Sequence, residues 1–199
     1  MYAEVRLYYI HIRHKNCRLN LTVSYIYIQI MNVVITSNEY KVSQVYFTEK
    51  KPNTHIANST FNRITYSTND FIMNGVYIHF ELFVKQIEQN FNSNIYNFHF
   101  DPSHEHNDKM LEIFKKIEID LLDKWIRLEH SDIARTGSIP STSSRYKSTD
   151  IIQQLRSGVI SVWKNELHYS DKQQFHHFII KISGIWENDG GCGLTFKFI

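Results

Sequence analysis

Four groups able to bind a metal lie within one short run of this 199-residue chain: His99, Asp101, His104 and His106. Imidazole and carboxylate are the ligands that zinc and related divalent ions take. The spacing matches no HExxH or comparable hydrolase signature. The same run fits a polar turn ahead of a helix, whose N-terminal dipole favours such residues. We therefore expect no metal and no cofactor; a metal-dependent enzyme using the His99–His106 cluster is kept as a third reading. His176 and His177 are adjacent, and adjacent strand residues face opposite ways, so they cannot chelate one ion together. No Ser, Thr or Cys stands in a nucleophile-elbow context, and there is no P-loop or GxGxxG. Gly190-Gly191-Cys192-Gly193 lacks the helix and lysine that a phosphate loop needs. No catalytic residue is assigned, and the chain is read as non-enzymatic.

A second chemistry is distributed along the chain. Lys50 and Lys51 follow Tyr46-Phe47. Arg63 and Tyr66 sit on one expected strand, and Tyr77 and His79 on the polar face of the next. Arg145 and Lys147 flank Tyr146 in a loop, and Lys197 is on the last strand. Cations for phosphates and aromatic faces for bases are what a single-strand binder combines. The plain alternative is that strand tyrosines and scattered lysines are ordinary sheet surface. The formal net charge is only +2, which excludes binding by bulk positive charge and requires a local patch.

These residues need elements to position them. The last stretch is a closing β-hairpin: an arm over 175–188, Asp189-Gly190-Gly191, and an arm over 192–199. By parity Trp186 joins Phe178, Ile180 and Ile182 on the core face, unless Gly184 marks a bulge that re-aims it. Strands are expected at 33–37, 41–48, 60–66 and 94–100, with a hairpin turn at Asn74-Gly75. After that turn Val76, Ile78, Phe80 and Leu82 face inward, and Tyr77, His79 and Glu81 outward. A short helix is expected over 83–91. Met110, Phe114, Ile117, Leu121, Trp125 and Leu128 recur at spacings of three and four, so 105–129 forms one long amphipathic helix with Ser103 as its N-cap. Residues 131–148 read as a Ser/Thr-rich loop. Residues 149–157 form a short helix closed by Gly158, followed by a strand at 159–164.

The fold class is α+β with a mostly antiparallel sheet. An OB-like barrel and a plain α+β sandwich both fit the element order. Residues 1–30 are basic and Tyr-rich, either an N-terminal extension or an edge strand at 21–30; residues 31–199 form a single α+β domain with Met31 as a candidate start. The two cysteines make neither a disulfide framework nor a zinc site, so the expected compartment is cytoplasmic. The most apolar run, Leu21–Ile35, is too interrupted to span a membrane, and no membrane partner is expected.

The ending KISGIWENDGGCGLTFKFI (181–199) and the middle stretch TFNRITYSTNDFIMNGVYIHFEL (60–82) resemble single-stranded-DNA-binding-like proteins of large nucleo-cytoplasmic DNA viruses. In these a Trp-bearing strand turns into one ending in a Gly-hydrophobic-Thr/Ser-aromatic pattern. The resemblance implies an OB-like fold that binds nucleic acid without catalysis. It also implies a host-cell cytoplasmic or virion location, with copies of itself or other viral proteins as partners. The alternative function is a structural or virion protein that docks a partner through its sheet.

Overall fold

The structure is a computed structural model that describes residues 33–54, 57–90, 94–136, 146–163 and 174–199. Segment 1–30, the candidate start at Met31 and Arg145 lie outside the described residues.

The closing hairpin is the backbone of the fold. Strand β10 (Phe175–Asn188) turns into β11 (Gly191–Phe198), and the Asn188 side-chain oxygen accepts from the amides of Gly190 and Gly191 at 2.9 and 3.0 Å. Their register shifts between Ile182 and Gly184. An extra residue at that point reverses the parity of everything after it. Ile185 and Glu187 therefore take the buried positions, and Trp186 turns to the other face, half-buried. Trp186 does not join Phe178, Ile180 and Ile182, because the bulge at Gly184 lies between them.

One edge of β10 serves two partners. Residues 175–182 pair antiparallel with β6 (Val76–Asn90), and residues 184–187 with β4 (Thr60–Ser67); β11 runs along the opposite edge. The rest extends from these strands. The short strands β2 (Val45–Phe47), β3 (Lys51–Pro52) and β5 (Ile72–Asn74) pair with β4. β1 (Ile35–Thr36) lies parallel to β6, β7 (Ile95–Phe100) pairs with the far half of β6, β8 (Tyr146–Lys147) lies parallel to β11, and β9 (Val159–Trp163) pairs with β7. The arrangement is α+β with a mostly antiparallel sheet. That sheet is open and does not close into a barrel.

Three expectations need correction. The expected helix at 83–91 is the continuation of β6. A register shift between Val84 and Gln86 places Val84 opposite Phe100 and Ile87 opposite Phe98, so two apolar residues three apart share one face of a strand and imitate a helical period. Asn74-Gly75 is not a hairpin turn. Gly75 (φ +93°) carries the chain from β5 straight into β6, its amide donating to Ile64 O at 2.8 Å. A Cβ there would stand 2.8 Å from the Ile182 carbonyl oxygen. The real hairpin is β4–β5, where the Thr68 amide donates to Phe71 O at 2.9 Å. In segment 41–48, residues 42–44 form a 3₁₀ turn and only 45–47 are strand.

Helix α1 (Glu105–Thr136) is longer than the apolar stripe predicts and packs across the inner face. Phe114 meets Phe80 edge-on at 4.9 Å, and Trp125 meets Phe47 at 5.1 Å. Its entry is set by Asp101, which accepts from the Ser103 amide through its side chain and from the His104 amide through its carbonyl; Ser103 is not the cap. Asn107, fully buried, bonds both the amide and the carbonyl of Phe83. Helix α2 (Asp150–Arg156) ends at Gly158 (φ +74°), as its sequence predicts. At its start the buried Glu118 carboxylate accepts from the amides of Ile151 and Ile152 at 2.9 and 3.0 Å.

Candidate functional site

Side chains on the inner face meet α1, so chemistry with an outside partner falls to the outer face. Strand register lays that face out in rows. One row runs Lys51–Phe61–Trp186–Gly193 across β3, β4, β10 and β11. The next runs Arg63–Gly184–Thr195. The third runs Tyr77–Lys181–Lys197 across β6, β10 and β11. Four cations and three aromatic rings thus alternate over about 15 Å of β10, at the usual rise of a strand, and no acidic residue stands in these rows.

Glycines shape this surface. A Cβ at Gly193 would lie 2.7–2.8 Å from three indole atoms of Trp186, and one at Gly184 would lie 2.4 Å from Cζ of Phe61. The two rings therefore lie against bare backbone. The Lys181 ammonium stands 5.0 Å from the centroid of the Tyr77 ring, a cation–π distance. Lys181 and Lys197 are direct cross-strand partners.

The structure distributes the nine sequence candidates unevenly. Lys51, Arg63, Tyr77, His79 and Lys197 lie on the outer face. Lys50 lies on the inner one: its ammonium pairs with Glu187 at 2.7 Å and Glu129 at 3.0 Å and stands 5.7 Å from the Trp125 ring centroid. Lys147 pairs with Asp123 of α1. Tyr66 is fully buried, its hydroxyl donating to Gln44 Oε1 at 2.6 Å; burial, more than any charge, raises its pKa. No base can stack on that ring. Arg145 is outside the described residues. Sequence reasoning missed Phe61, Lys181 and Trp186. The signal for Trp186 was Gly184, which licenses the bulge.

The face continues toward α1 as a cluster of imidazoles. His79 stacks on His177 with centroids 5.1 Å apart and rings inclined by 22°. The two oxygens of Glu81 face Nε2 of His106 at 3.6 Å and Nε2 of His177 at 3.5 Å. His104 stacks on Phe83 at 4.2 Å. The run His99–His106 is therefore split among partners: His99 meets Glu88 at 3.1 Å, and Asp101 meets Lys85 at 2.9 Å. The Lys85 hydrogen bond, then the Ser103 amide, hold the Asp101 carboxyl below its ordinary pKa. Among the described residues no group of three His, Cys, Asp or Glu side chains is placed to hold a metal ion. No helix of the described residues is long and apolar enough to cross a membrane. Comparison with family models, curated proteins and solved structures finds no match to this chain.

Proposed function

We propose that the protein binds single-stranded nucleic acid on the outer face of its open sheet, without catalysis. The observation that carries this reading is the alternation of Lys51, Phe61, Arg63, Trp186, Tyr77, Lys181 and Lys197 in three register-matched rows. Phosphates pair with the cations, and bases stack on Trp186, Phe61 and Tyr77. Stacking is worth about 1–3 kcal/mol per base and tolerates any sequence. Duplex DNA hides its base faces and gains only the cations. An OB-like closure is not required, since the rows belong to an open surface. The resemblance of 60–82 and 181–199 to viral single-strand binders agrees with the reading, because those two segments supply most of the rows.

The test is fluorescence anisotropy with a labelled, unstructured oligonucleotide. Micromolar or tighter binding at low salt is expected, weakening steeply as salt rises. Trp186→Ala, Tyr77→Ala and Lys181→Ala should each weaken it. Absence of binding, or binding indifferent to all three, rejects the proposal.

One observation favours a second reading, an interaction protein. Among the described residues β9 pairs with β7 alone, and its Trp163 is 56% exposed. A sheet edge bearing an exposed indole suits strand addition by a partner. Salt separates the two, since apolar docking does not weaken as phosphate binding does.

A further inference from the structure

The nucleic-acid face does not stop at Tyr77. Two and four residues further along β6 come His79 and Glu81. On β10, two residues before Lys181 lies Ile179, and two before that His177, the cross-strand partner of Glu81. The basic-aromatic rows thus run directly into the imidazole cluster on the same two strands.

Among the described residues the charge of this end is set by few groups. β6 supplies His79 and Glu81, and β10 supplies His177 with Lys181 beyond it. The first turn of α1 supplies His104, Glu105 and His106. Glu105 is engaged by Lys109 at 2.7 Å, and Asp101 by Lys85. β1 places Thr36 beside His79, and the Glu39 carboxylate accepts from the Thr36 amide and hydroxyl at 2.7 and 2.9 Å. With neutral imidazoles, Glu81 is the carboxylate that stands among these rings on β6 and β10, between His106 and His177. It stands at the end of the path a phosphate chain would follow, and it repels that chain. The Nε2–carboxylate separations of 3.5 Å for His177 and 3.6 Å for His106 are longer than a made hydrogen bond; Nε2 of His106 donates instead to the Glu81 carbonyl oxygen at 3.1 Å, which holds that ring beside the carboxylate. Protonation of the two imidazoles would cancel the carboxylate's charge and leave a surplus positive charge. Imidazole is the side chain whose charge changes between about pH 5 and 8.

We propose that Glu81, His106 and His177 form a proton-operated extension of the nucleic-acid face, repelling phosphate when neutral and recruiting it when protonated. This rests on the reading of the face as a single-strand binder. Acidification lengthens the cationic track along β6 and β10 and so adds phosphate contacts.

The experiment is anisotropy with an oligothymidylate, whose bases do not titrate in this range, at constant low ionic strength. Wild type should bind about tenfold tighter at about pH 5.5 than at about pH 8, with a steeper salt dependence at the lower pH. His106→Gln/His177→Gln should lose most of the difference in affinity between the two pH values. Glu81→Gln should tighten binding at the higher pH, which gives a second reading if the double variant folds poorly. Wild-type binding that is equal at both pH values overturns the proposal and leaves the nucleic-acid reading intact. So does a double variant that keeps the full pH response, or a Glu81→Gln variant that does not gain affinity. Absence of binding at both pH values overturns both.

Discussion

The indole of Trp186 lies across Gly193, its cross-strand partner, so closely that a Cβ at Gly193 would stand 2.7 Å from indole Cζ2 and 2.8 Å from Nε1. The ring is seated on backbone and stays half-buried on the outer side of the strand, and a seated, partly exposed ring suits base stacking. Gly193→Ala should lift the ring. We expect a loss of about 1–3 kcal/mol in unfolding free energy, as for other overpacked sites, and weaker oligonucleotide binding. Urea unfolding and tryptophan emission in a Trp163→Phe background check this; unchanged emission and stability would show the ring is not seated there.

Lys50 and Lys51 are neighbours with opposite duties. Lys50 holds the buried Glu187, together with Glu129, on the helix side. Lys50→Ala should cost about 1–3 kcal/mol by weakening a charged, partly buried contact. Lys51→Ala should change stability by no more than about 0.5 kcal/mol, as at most surface sites, yet weaken oligonucleotide binding. Chemical denaturation and anisotropy on the two variants decide; the reverse pattern would refute the facial assignment.

Glu118 makes stability depend on pH. Burial pushes its carboxyl pKa above the ordinary 4.5, against the pull of the Ile151 and Ile152 amides. The folded chain therefore holds this proton more tightly than the unfolded chain. Its contribution is fully present below 4.5 and is lost as pH rises through the raised folded value. The difference in unfolding free energy between wild type and Glu118→Gln should thus fall as pH rises above 4.5. A pH-independent difference would mean that Glu118 is not held in this environment.

Asn107 clamps α1 to β6. Its side chain accepts from the Phe83 amide at 2.8 Å and donates to the carbonyls of Phe83 at 3.0 Å and Asp101 at 2.8 Å. Asn107→Leu keeps the bulk and removes every bond. Each backbone group left unpaired costs about 1–3 kcal/mol, so unfolding at much lower denaturant is expected. Hydrogen exchange at the Phe83 amide should rise in parallel, and protection equal to wild type would count against the clamp.

Much of the sheet was legible because its strands obey a period of two. Ile64, Val76–Val84 and Phe178–Ile182 show their buried faces directly in the sequence. What misled was the interruption of that period. The shift at Val84/Gln86 imitates a helix, and the shift at Ile182/Gly184 turns Trp186 outward. The site was half legible for the same reason. Tyr77 and His79 follow from alternation within one strand. Lys51 and Lys50 can be sorted only by knowing that Lys51 faces Phe61 across β3 and β4, a pairing that sequence does not encode locally. Tyr66 falls on the inner parity of β4 with Ile64, and an aromatic residue alone does not tell a stacking platform from a core side chain.

Strand β10 is also a matter of timing. β4 and β6 are never each other's neighbours in register; both wait for the same edge of one strand, Phe61 for Trp186 and Tyr77 for Lys181. A chain emerging from the ribosome makes both of them well before residues 175–188 exist. Until then each presents an open row of amides and carbonyls, the condition in which strands find wrong partners. Long-range pairing of this kind also folds slowly. Expression with the hairpin supplied late or weakened should therefore be limited by aggregation of a half-made sheet, and a nascent-chain chaperone would find its binding site in β4 and β6.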